Sequence, residues 1–136
     1  MKATDTIQSF SFVRSIVHVA AAGRATLLQP PFIKAELARL DGRVLATFPI
    51  SSAADAHSDT WEMHPAADEV LFMLTGELVL EFSDGFGNST ADLKAGHGAV
   101  VPMGVWHRLH FREAGILLAL TATQGTRSGS SAGGRT

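Results

Sequence analysis

Apolar and polar positions alternate with a period of two along most of this chain, which is the signature of half-buried β-strands. In residues 77–82, Leu78, Leu80 and Phe82 fall on one face, and Glu77, Val79 and Glu81 on the other. Residues 69–75 are apolar on both parities, which predicts a strand covered on both sides. Asp41-Gly42 separates the runs 33–40 and 43–50, and that dipeptide favours a tight hairpin turn. Further strands are expected near 60–64, 90–94, 98–102, 106–112 and 115–123. Residues 83–88, rich in turn formers, should be a loop, and the one helix candidate is 52–56. Many short strands separated by Gly and Pro predict an all-β sandwich or barrel.

The two ends read differently. Residues 1–29 form an N-terminal segment expected to add edge strands. Residues 30–123 hold the barrel. Residues 124–136 are small and polar, and are expected to form a flexible C-terminal tail because they bury too little to offset the entropy of ordering.

Composition narrows the function classes. The chain has 136 residues, enough for one domain with a real core. Eleven basic residues, 13 acidic ones and a net charge of −2 give no electrostatic footprint for nucleic acid. The absence of cysteine excludes disulfides, thiolate metal sites and a cysteine nucleophile. No apolar run is long enough for a membrane helix and no signal peptide is evident, so a cytoplasmic protein is expected.

The candidate chemistry lies in two short stretches. Glu62 and His64 are two residues apart and so share one face of a strand, and Glu69 opens the next strand. His107 follows a Pro-x-Gly turn and shares its parity with Leu109 and Phe111, so it should point inward. Inward histidines and a carboxylate are costly to bury together unless something binds them. Trp61 and Trp106 take the opposite parity and should pack outside. Met63, Met73 and Met103 are expected in the core, His57 near the barrel mouth, and Asp68 at a turn whose backbone amides it bonds. His97 and His110 should be exposed, and His18 is read as an ordinary edge-strand residue.

These stretches resemble the two motifs of the cupin superfamily. The first, Gly-x5-His-x-His-x3-4-Glu-x6-Gly, is matched by His64, Glu69 and Gly76. The second, Gly-x5-Pro-x-Gly-x2-His-x3-Asn, is matched by Gly96, Pro102, Gly104 and His107. Three positions depart: Glu62 replaces the first histidine, Ala56 the leading glycine and Phe111 the final asparagine.

The resemblance implies a double-stranded β-helix, or antiparallel jelly-roll barrel. It implies a divalent metal on His64, Glu69 and His107, with Glu62 either a fourth ligand or an outer group. Two histidines and one or two carboxylates suit iron, manganese, zinc or nickel. A metal-dependent enzyme acting on a small organic molecule is expected, dioxygenase-like before isomerase or lyase, with Glu62 as candidate general base. The alternative is a non-catalytic module that binds or senses a small ligand. A homodimer is also expected, because apolar residues near the N-terminus and the doubly apolar run 69–75 would otherwise leave an exposed face.

Overall fold

The structure is a computed structural model that describes residues 6–133. The ends of the N-terminal segment and of the C-terminal tail, residues 1–5 and 134–136, lie outside the described residues. The strands are β1 (Ile16–Val19), β2 (Ala25–Leu28), β3 (Arg43–Ile50), β4 (Trp61–Met63), β5 (Glu69–Ser83), β6 (Asn88–Lys94), β7 (Gly98–Val101), β8 (His107–Ala122) and β9 (Arg127–Gly129). Two single-turn helices, α1 (Lys34–Leu37) and α2 (Ala53–Ala56), interrupt them. Among the described residues all pairings are antiparallel.

The architecture turns on β5 and β8, which pair along nearly their whole length. Each belongs to two sheets. The first half of β5 and the second half of β8 join β2, β1, β3 and β7 in the order β2-β1-β3-β8-β5-β7. The other halves join β9, β4 and β6 in the order β9-β4-β8-β5-β6. The strands change sheet where the register slips between Met73 and Leu78. Gly76 is needed there: its φ is 76°, and a Cβ would lie 2.5 Å from the Ala114 carbonyl oxygen. The result is the jelly-roll barrel expected from the strand pattern.

The core lies between the two sheets. Met73, Leu78 and Leu93 are fully buried, and Leu71, Leu80, Val101 and Leu117 pack with them. On the outer face of the first sheet, Val70 stands opposite both Val100 and Leu120, while Phe72 stands opposite Leu118. Val100 is 64% exposed, and Val70, Leu74 and Ile116 are also open to solvent. Among the described residues no helix is long and apolar enough to cross a membrane.

Four expectations are corrected. Residues 33–40 do not pair with 43–50; Lys34-Ala35-Glu36-Leu37 are helix formers and take a helical turn, and β3 pairs with β1 instead. Residues 69–75 and 77–82 form one bent strand, as do 107–112 and 115–122. Met103 is 55% exposed, because it sits in the turn before β8 rather than on a strand. The expected loose tail is ordered at residues 127–129, where it pairs with β4; backbone hydrogen bonds need no apolar pattern.

Candidate metal centre

Each candidate ligand is delivered by a different piece of the barrel. Glu62 is the middle residue of β4, and its register partner on β8 is His107. His64 follows β4 directly, and Glu69 is the first residue of β5. Asp68, just before Glu69, accepts a hydrogen bond from the Met103 amide at 2.9 Å. It therefore clamps the start of β5 to the Pro-x-Gly turn that leads into His107. The expected local turn bond is replaced by one spanning 35 residues.

The three residues converge. Ligand atoms of Glu62, His64 and His107 lie within 4.8 Å of one another. The imidazoles of His64 and His107 are 5.4 Å apart between centroids. Glu69 sits between them: Oε1 is 2.9 Å from His107 Nε2, and Oε2 is 3.3 Å from His64 Nε2. Thr121 donates to Glu69 Oε2 at 2.7 Å. The more exposed Glu62 carboxylate stands 3.8 Å from His64 Nε2.

The buried groups carry unusual electrostatics. His64, Glu69 and His107 are each at most 5% exposed. Burial alone would raise the Glu69 carboxyl, but the hydrogen bond from His107 and the nearness of His64 outweigh it and hold it at about 2. Burial alone would lower His107, but the hydrogen bond to Glu69 raises it above its ordinary range. His107 Nδ1 is 3.0 Å from the Val105 carbonyl, and its donated proton fixes the ring with Nε2 toward Glu69.

His64 Nε2 is different. Among the described residues it is the buried side-chain nitrogen or oxygen that lacks a hydrogen-bond partner, despite its closeness to Glu69. An unpaired polar atom in the interior is costly, and an imidazole nitrogen facing carboxylates and a second imidazole is a donor set that fits a divalent cation. The residues present therefore suit the metal that the sequence motif implies.

A cavity of about 360 Å³ adjoins Glu62, Glu69 and His107. Its polar lining includes Glu62, Glu69, His107 and Thr121, with His57 and Asp55 from the α2 region. The remaining wall is mostly apolar, including Val44, Ala46, Phe48, Leu71, Leu117 and Ala119. Arg108 also borders it, but its guanidinium is bound to Glu81 at 2.8 Å and lies 4.6 Å over the Trp61 ring. Sequence reasoning missed this apolar wall, since it needs the register of β3 against β8. The other histidines stay apart: His18 bonds the Asp41 carbonyl, His110 pairs with Glu81, and His97 is exposed.

Comparisons with known proteins agree with this architecture. A family model described as "Cupin domain" (Cupin_2) matches residues 51–122. The uncharacterized protein YdbB of Bacillus subtilis (strain 168) is 42% identical over 48 residues, which are 35% of this chain and 40% of that protein. The match thus spans less than half of that relative's length. A cupin-2 domain protein from Shewanella frigidimarina is similar over 61% of this chain and 72% of its own, with 21% identity and a TM-score of 0.47. Bacillus subtilis oxalate decarboxylase, a protein with Mn(II) centres, is similar over 68% of this chain and 24% of its own, at 14% identity and a TM-score of 0.51. At 14% identity the likeness to oxalate decarboxylase is one of fold. With 72 of its residues inside the family match and the jelly roll formed, this chain belongs to the cupin domain family.

Proposed function

We propose that this protein is a metal-dependent enzyme that acts on a small organic molecule, with dioxygenase-like chemistry ahead of isomerase or lyase chemistry. The unpaired, buried Nε2 of His64 carries the reading, because it lies 3.3 Å from Glu69 and 3.8 Å from Glu62, and ligand atoms of Glu62, His64 and His107 lie within 4.8 Å of one another. His64, His107 and Glu69 would hold the ion, with Glu62 as a fourth, looser ligand. Iron, manganese, zinc or nickel would suit the set, supplying Lewis acidity toward substrate oxygen atoms and, for iron or manganese, redox capacity.

The chain's own residues define the rest. Glu62 is the least constrained carboxylate of the group and adjoins the cavity, so it is the candidate general base. Thr121 and His107 hold Glu69 in one orientation. The apolar wall excludes water and favours a substrate with an oxygen-bearing head and an uncharged, apolar body. A doubly charged acid would meet Glu62 and Glu69 with Arg108 already engaged.

A second reading, a non-catalytic module that holds such a ligand, is favoured by the same apolar lining. The distinguishing experiment is elemental analysis of protein purified without chelators or a nickel column, followed by oxygen uptake with small enols and diketones. Near one equivalent of iron or manganese with turnover supports the enzyme. Ligand binding without turnover supports the module, and a protein that takes up no metal even on reconstitution rejects the metal centre.

The apolar outer face of the first sheet supports the homodimer, with a second copy covering Val70, Leu74, Val100 and Ile116. Sedimentation at micromolar concentration should give the mass of two chains; a single-chain mass would reject the pairing. The charge balance favours neither nucleic acid nor anionic surfaces, and the cytoplasm remains the proposed location.

A further inference from the structure

His64 is fixed at its second ring nitrogen by a residue beyond the family match, which ends at residue 122. His64 Nδ1 and Thr126 Oγ1 lie 2.9 Å apart, although 62 residues separate them in sequence. This is the hydrogen bond that the described residues give the ring, since Nε2 has none. A neutral imidazole that offers Nε2 to a ligand must carry its proton on Nδ1, and the Thr126 hydroxyl at 2.9 Å is placed to accept it.

Thr126 is exposed, so its position depends on the backbone around it. Three contacts supply that position. Upstream, the Thr123 amide donates to the Gly42 carbonyl at 3.2 Å. Gly125, with φ at 78°, turns the chain against Pro65, the residue after His64. Downstream, β9 pairs with β4, placing Ser128 opposite Glu62 and Arg127 opposite Met63. The tail thus lies along the free edge of the strand that presents the candidate ligands.

We infer that residues 124–129 form a docked clasp on the metal centre, with Thr126 as the positioning residue that holds His64 with Nε2 turned into the site. The inference rests on the metal-binding reading above. β9 has three residues, none of them buried, so the clasp is weakly held by itself. Linkage then requires reciprocity: the clasp strengthens metal binding, and the metal strengthens docking of the clasp by the same factor.

The test uses the full chain and two variants, Thr126→Val and Thr126→Ser, with Zn(II) as the probe. Zn(II) affinity is read by competition with a chromophoric chelator, backbone hydrogen exchange at residues 127–129 is followed with and without Zn(II), and the His64 tautomer of metal-free protein is read by ¹⁵N NMR. Thr126→Val should bind Zn(II) about 10- to 100-fold more weakly, the range for losing an outer partner of a ligating histidine. Thr126→Ser, which keeps the hydroxyl, should bind as the native chain does. Zn(II) should slow exchange at 127–129 in the native chain and not in Thr126→Val.

Equal affinity in native and Thr126→Val protein would overturn the inference. So would exchange at 127–129 that ignores Zn(II), or a native His64 protonated on Nε2. If the native chain itself takes up no Zn(II), the metal-binding reading fails and the clasp falls with it. Should Thr126→Val not fold, the native tautomer and native exchange still decide.

Discussion

Glu69 Oε1 and His107 Nε2 meet at 2.9 Å in the interior, one at the start of β5 and the other at the start of β8. Their pairing eases the burial of the two groups together: the hydrogen bond raises His107 above its ordinary range and helps hold the Glu69 carboxyl at about 2. It also makes the metal-free protein sensitive to pH from both sides. The Glu69 carboxyl lies below its ordinary 4.5, so its contribution to stability is complete above that value and is lost as pH falls toward 2. His107 lies above its ordinary 6.5, so its contribution is complete below 6.5 and is lost as pH rises through the raised value.

Metal binding should therefore release a proton near neutrality, because a ligating His107 must be neutral. Calorimetry of metal uptake in two buffers of different ionisation enthalpy should show release of more than half a proton at pH 6.5, fading at higher pH. Heats that do not depend on the buffer at pH 6.5 would remove His107 from the ligand set.

Substitution should rank the ligands. His107→Ala should weaken metal binding by more than the roughly 100-fold that losing an outer partner costs. Glu62→Gln should cost less, roughly tenfold, since its carboxylate stands 3.8 Å from His64 Nε2. Metal content after gel filtration checks both, and equal losses would make Glu62 as firm a ligand as His107.

Gly76→Ala tests the bend that carries β5 from one sheet to the other. Left-handed backbone costs a non-glycine residue about 1–2 kcal/mol. Displacing the Ala114 carbonyl, 2.5 Å from the new Cβ, adds to that. The urea midpoint should fall accordingly, and an unchanged midpoint would mean that the bend relaxes freely.

A chain ending at Thr123 should melt close to the native temperature without metal, because β9 contributes three exposed or half-buried residues and a single strand pairing. A fall of more than a few degrees in the metal-free melting temperature would show that the tail supports the barrel itself.

Much of this site was readable before the structure. The spacing of His64, Glu69 and Gly76, and of Gly96, Pro102, Gly104 and His107, located the buried cluster because short turns on a β-scaffold leave ligands few places to go. What spacing could not show was contact across sheets. Asp68 reaching Met103, and Thr126 reaching His64, are set by how separate strands stack rather than by local pattern. The hairpin expected around Asp41-Gly42 failed because its first arm contains a helix-forming run that the turn signal outweighed. The C-terminal strand escaped notice because Arg127, Ser128 and Gly129 carry no apolar alternation; their pairing is made by backbone.

The sharing of β5 and β8 between sheets divides labour within the barrel. Glu62 and His107 belong to the second sheet and His64 directly follows β4, whereas Glu69 and the wall residues Val44, Ala46, Leu71, Leu117 and Ala119 belong to the first. The second sheet thus carries most of the candidate ligands, and the first adds Glu69 and sets the shape admitted beside them. Changes of side-chain volume at Val44, Ala46 or Ala119 could retune selectivity and leave the coordinating groups in place. A library confined to that wall, screened with the ligand set untouched, would treat the fold as a socket with interchangeable linings.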